Sequence, residues 1–202
     1  MRKGLLPFLL VAIAAVATAG AAGGRQNDAT LSPTWSADTY RATNDRVELI
    51  VDAWPASLRT GQEFVPIPVA VGVRGRSAPI RFHEESFTLV DAAGDEYPMA
   101  SYNAVAERYP MRTFDRTMMA GRPLAVGTRF YGLTRVPSRF FPAPGAGTRT
   151  TSVELSAFSW FEDVLYFPRP ADVHGPLTLR LKAAGLEQPV EVRFEVQKNS
   201  VR

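Results

Sequence analysis

The sequence predicts an all-β fold, an antiparallel β-sandwich interrupted by one short helix. Two stretches near the C-terminus, Leu177-Thr-Leu179-Arg-Leu181-Lys182 and Val190-Glu-Val192-Arg-Phe194-Glu-Val196, alternate apolar with polar residues. That period of two marks strands with one buried face and one wet face. Further short apolar runs are punctuated by Gly, Pro and Asp, the spacing of a sandwich or barrel. Cysteine is absent from all 202 residues. A chain of this length buries about 70% of its unfolded surface in one core without covalent staples.

The first residues read as a signal peptide. Arg2 and Lys3 precede an uncharged stretch from Gly4 to Gly24 whose most apolar part is Leu5 to Val16. Ala17-Thr18-Ala19 supplies the small residues of a cleavage site, with Ala19-Gly20-Ala21 as a second option. An uncleaved anchor is the rival, but many residues of the stretch are Ala or Gly, which insert weakly. The reading is therefore residues 1–19 as signal peptide, 20–44 as a small polar linker and 45–198 as a single domain, periplasmic or secreted. A membrane enters only through the signal segment if it is not cleaved. The linker stays poorly ordered until Trp35 or Tyr40 docks.

The formal charge of +3 overstates basicity, because Arg2 and Lys3 leave with the signal and the remainder is nearly balanced. Lysine occurs only at Lys3, Lys182 and Lys198. Arginine dispersed among acids makes a solvated surface rather than the basic stripe that nucleic acid requires, so nucleic-acid binding is excluded.

Strands are expected at Arg46 to Asp52 and at Glu63 to Val73, where Pro66 and Pro68 share a parity and suggest an edge strand. More follow at Ile80 to His83, Phe87 to Val90, Asp95 to Met99, Thr128 to Thr134 and Thr151 to Leu155. The two alternating C-terminal runs, joined through Gly185, form an antiparallel hairpin with Arg180 and Lys182 opposite Glu191 and Glu195. Ser101 to Tyr109 has an N-cap and two helical turns before Pro110. Phe87-Thr-Leu-Val-Asp91-Ala-Ala-Gly94-Asp-Glu-Tyr97, a strand, a D-x-x-G turn and a returning strand, resembles hairpins in bacterial exported immunoglobulin-like domains of the telokin-like kind. The resemblance spans Pro66 to Tyr109 and implies an immunoglobulin-like sandwich acting as an accessory or binding module, with no catalytic residue. The segment from Pro110 to Pro170 departs from a compact seven-strand pattern.

No motif for chemistry stands out. His83 and His174 are the two histidines, and no G-x-S-x-G occurs. The pairs Glu84-Glu85, Asp95-Glu96 and Glu162-Asp163 point to opposite faces of a strand and do not converge. Met99, Met111, Met118 and Met119 lack copper-binding spacing and read as core filler. No catalytic residue, metal or cofactor is assigned.

The aromatic run Phe158-Ser-Trp160-Phe161-Glu-Asp-Val-Leu-Tyr166-Phe167 is the unusual feature. Strand parity cannot hide all its rings behind one face, so Trp160, Phe161, Tyr166 and Phe167 form the candidate partner surface. The competing reading is that these rings fill the space between sheets. Together these features suggest a non-enzymatic exported module binding an envelope protein or glycan. The alternatives are a carbohydrate-binding module using Trp160 and Tyr166, and a hydrolase with scattered carboxylates. Cleavage near Ala19 is expected. N-terminal sequencing of protein from the periplasm or medium should begin at or just after Gly20, and an intact Met1 in the membrane pellet is the contrary result.

Overall fold

A computed structural model describes residues 32, 34–36, 38–75, 78–121, 124 and 130–198. The expected signal peptide lies outside them. Numbered in chain order, the first strands are β1 Thr34–Ser36, β2 Thr39–Thr43, β3 Val47–Asp52, β4 Phe64–Val73, β5 Ile80–His83 and β6 Phe87–Val90. The others are β7 Glu96–Pro98, β8 Thr134–Arg135, β9 Ser152–Leu155, β10 Ser159–Pro168, β11 Pro176–Leu181 and β12 Val190–Glu195. Among the described residues three short α-helices are α1 Trp54–Ser57, α2 Tyr102–Arg108 and α3 Arg112–Gly121, and Glu84–Ser86 forms one 3-10 turn. The protein is mostly β, and its sheets are antiparallel except where β8 meets β10.

A six-stranded sheet runs β1-β2-β3-β4-β10-β8, a four-stranded sheet β12-β11-β6-β7, and β5 pairs with β9 alone. One apolar cluster gathers Leu49, Val51, Val69 and Val71 from the first sheet with Leu89, Leu179, Val192 and Phe194 from the second. The C-terminal alternation folds as its period dictates. Leu179, Leu181, Val192 and Phe194 are fully buried, and Arg180 stands opposite Glu191 and bonds it at 2.7 Å. Lys182 lies beyond the last paired residue, and Glu195 stands opposite Pro176.

Four expectations are corrected. First, β4 is central, not an edge: it pairs with β3 on one side and along all ten residues with β10 on the other. The β3 ladder ends at Val69, before either proline, so Pro66 and Pro68 need no donor on that side. Second, the sheet begins inside the stretch read as a linker. Tyr40 is buried and packs its ring 6.1 Å from Phe194, which holds β2 onto the core. Third, the described part of Thr128 to Thr134 is a turn closed by Leu133 N–H donating to the Phe130 carbonyl at 3.0 Å, with strand only from Thr134. Fourth, the helix capped by Ser101 is joined by α1 and α3. α3 escapes sequence reading because its buried residues are Arg112 and Asp115, charged groups that break the apolar period.

A second, smaller cluster covers the opposite face of the six-stranded sheet. Ile50, Ala70, Leu124 and Phe130 are buried there, with Leu133 and Trp160 packed against them. Phe130 lies so close over Gly72 that a Cβ at that position would meet its ring at 2.5 Å, and only glycine allows the approach.

Phe194→Ala should cost about 3–5 kcal/mol, the usual loss on emptying a core aromatic site. Glu191→Ala on the wet face should change stability by less than about 0.5 kcal/mol. Urea unfolding of both variants checks the assignment, and equal losses would mean the hairpin's faces are reversed.

Candidate functional site

The four rings proposed from sequence separate into two groups. Phe161, Tyr166 and Phe167 are fully buried, so they are core and not a partner surface. Phe161 meets Phe82 at 5.9 Å and Phe140 at 6.3 Å, while Tyr166 meets Phe141 at 5.0 Å and Tyr109 at 5.3 Å. Every residue of β10 from Asp163 to Phe167 is buried. Both faces of this stretch are covered, which removes the parity argument for exposed rings. Trp160 alone is half-buried; Phe130 sits 5.5 Å from its ring and the Arg135 guanidinium 5.4 Å. With Tyr166 enclosed and Trp160 so flanked, the two rings offer no open platform for stacking a sugar.

Among the described residues three rings are well exposed: Phe114 on α3, with the Arg59 guanidinium 5.2 Å from its centroid, and Tyr131 and Phe158 beside the start of β10. Gly132 at φ 81 completes the turn Phe130-Tyr131-Gly132-Leu133, whose first residue is clamped on Gly72. This turn presents Tyr131, 89% exposed. The second turn, Ser156 to Ser159, is tied by Ser159 Oγ donating to the Ser156 carbonyl at 2.7 Å. It presents Phe158, 50% exposed at φ 59. Thr134 N–H donates to the Phe158 carbonyl at 2.9 Å and locks the two turns side by side. A bulky side chain in the left-handed region costs about 1–2 kcal/mol. Half-exposed Phe158 recovers only part of what a buried phenyl would gain. Gly132 after Tyr131 was the available sequence signal for the first tip, and Phe158 was part of the aromatic run but not singled out.

The acids do different work. Asp163 is fully buried and accepts four hydrogen bonds: from Arg116 Nη1 at 2.8 Å, Ser138 Oγ at 2.7 Å, Phe140 N–H at 2.8 Å and Val164 N–H at 2.9 Å. Next to Arg116 on α3, Asp115 takes Arg59 at 3.0 Å and the Tyr109 hydroxyl at 2.6 Å. Burial pushes the Asp115 carboxyl above the usual range despite these partners, and it also pushes the Tyr109 and Tyr166 phenols up. Glu84, Glu162 and Glu96 pair with Arg149, Arg135 and Arg180. These carboxylates are spent on arginines, an arrangement suited to holding the fold rather than to moving protons.

An open groove of about 620 Å³ lies over the β5–β9 ribbon, lined by Arg81, His83, Glu85, Glu154 and Lys182. Its central charges pair with each other, Arg81 to Glu154 at 2.6 Å. His83 N–H is held by Ser86 Oγ at 3.0 Å, and His174 Nδ1 lies 3.2 Å from the Val196 carbonyl. Among the described residues, no group of three or more acids and histidines converges as a metal site, and no helix is long and apolar enough to cross a membrane. No family model, curated protein or solved structure matches the chain.

Asp163→Ala should cost about 3–5 kcal/mol, because it leaves Arg116 and three further donors beside an emptied site. Chemical unfolding measures it, and a loss below about 1 kcal/mol would mean the carboxylate does not hold this region together.

Proposed function

We propose that the protein is an exported, non-enzymatic binding module of immunoglobulin-like sandwich type. It is delivered to the periplasm or the medium and acts by contacting an envelope protein. The contact surface is the pair of locked turns carrying Tyr131 and Phe158, with Trp160 and Arg135 at its margin. Phe158 carries this reading: a large apolar ring is held half in water at φ 59, a conformation that glycine would adopt without strain. Strain at an exposed aromatic is the signature of a residue kept for what it touches. Tyr131 and Phe158 on turns fixed by backbone hydrogen bonds offer large contact area at small entropic loss. The buried acids Asp163, Asp115 and Glu48 are each held by arginines, which favours docking over catalysis.

The test compares variants that separate stability from binding. Phe158→Gly should stabilise the domain by about 0.5–1 kcal/mol, the relief of the left-handed backbone less the extra entropy of glycine. Together with Tyr131→Ala, it should abolish capture of the partner. Photo-crosslinking from position 131 in the native host should give one dominant envelope protein, and the same probe at exposed position 187 should not. If the double variant retains the crosslinked partner, the turns are not the contact surface; if Phe158→Gly loses stability, Phe158 is held there by packing and the strain argument fails.

A further inference from the structure

Arg112, the first residue of α3, is 7% exposed, and its Nη1 is buried without a hydrogen-bond partner. Its guanidinium stacks over the half-buried ring of Tyr102, 5.3 Å from the centroid. A second guanidinium, that of Arg149, stands 5.1 Å from the same centroid. The carboxylates nearby are committed elsewhere: Glu84 to Arg149, Asp115 to Arg59 and Tyr109, Asp163 to Arg116. Among the described residues no acid pairs with Arg112, so its buried guanidinium has no anionic partner of its own.

A guanidinium does not deprotonate in a protein, so Arg112 cannot escape the cost of burial by becoming neutral. A buried charge without a partner is strongly unfavourable, and an anion arriving at it recovers that cost. The planar fork of arginine matches the two oxygens of a carboxylate. One uncompensated charge calls for a monoanion, whereas a phosphate dianion would overshoot it.

We propose that Arg112, supported by Tyr102, is the receiving group of a carboxylate-binding site between the start of α3 and α2. It is separate from the aromatic turns and does not depend on them. The ligand class is a monocarboxylate, either a small organic acid or the free carboxyl end of a polypeptide.

The full mature chain is melted in rising sodium acetate and, at matched ionic strength, in sodium chloride. Wild type should gain melting temperature saturably in acetate and not in chloride, as ligand binding to the folded state requires. Arg112→Gln should melt higher than wild type in chloride, because the unpaired charge is gone, and should not respond to acetate. Arg112→Lys, which keeps the charge but loses the fork, should bind acetate at least several-fold more weakly. An N-acetylated dipeptide with a free carboxyl end separates the sources. Binding tenfold tighter than acetate assigns the site to a polypeptide end, and equal binding assigns it to a small acid. Should Arg112→Gln fail to fold, the Nε–H resonance of Arg112 in wild type replaces it, and a saturable shift with acetate supports the site. Identical acetate and chloride curves, an acetate response surviving in Arg112→Gln, no shift of that resonance, or inorganic phosphate binding more tightly than acetate would each overturn the proposal.

Discussion

The ten-residue antiparallel ladder between β4 and β10 is the constraint on which the other elements depend. It joins two strands almost a hundred residues apart, so the chain must close a long loop before gaining any of it. The inner half of β4 carries two prolines and can give nothing to β3, so at Pro66 and Pro68 the sheet is held from the β10 side alone. β10 answers with its most buried stretch, Asp163 to Phe167, directly opposite Val69 to Val65. The far edge of β10 then has to be satisfied by irregular chain. Thr134 and Val136 donate to the carbonyls of Phe158 and Trp160, and Ala100 donates to that of Tyr166. Between them, the Asp163 carboxylate receives Ser138 and Phe140. One side chain thus replaces a stretch of missing strand, which is why a fully buried acid is retained there.

Arginine follows from the same arrangement. α3 has few apolar residues to bury, and it is attached by two neighbouring charges, Asp115 to Arg59 and Arg116 to Asp163. Such attachment is directional: it fixes where a short helix sits but contributes little net stability, since desolvation offsets most of the Coulombic gain. The planar, weakly hydrated guanidinium suits these half-dry sites better than an ammonium would. The near-absence of lysine is consistent with a surface in which cations are used as structural clamps.

What the sequence made legible is what depends on local period. The β11–β12 hairpin, its buried face and the Arg180–Glu191 pair follow from alternation, and the α2 cap follows from Ser101. The central position of β4 was hidden because proline parity reports which side lacks donors, not how far the neighbouring strand extends. α3 was hidden because polar residues occupy its buried positions. The aromatic run was visible as composition, yet its division into core and surface depends on which loops cover each face of β10, and no window of sequence contains that information. The turns carrying Tyr131 and Phe158 are joined by tertiary pairing, Thr134 donating to Phe158 and Val136 to Trp160.

The sheet edges explain why an interaction surface would fall on turns and not on strands. β12 is an edge strand with a long run of alternating side chains, a template for pairing with another chain. Its outer side is already engaged, since Ser32 N–H donates to the Arg193 carbonyl at 3.0 Å and Arg193 N–H donates to Ser32 Oγ at 2.9 Å. A second copy pairing antiparallel about Arg193 would also set Arg193 against Arg193 and Glu191 against Glu195, like charges facing each other. Among the described residues the other outer strands of the two larger sheets, β1, β7 and β8, are two or three residues long, and the β5–β9 ribbon has four-residue edges that carry Arg81 and Glu154. With its edges short, covered or charged, the domain resists strand addition. Rigid side chains projecting from fixed turns are then the means left for specific contact, and those turns are where the fold holds Tyr131 and the strained Phe158.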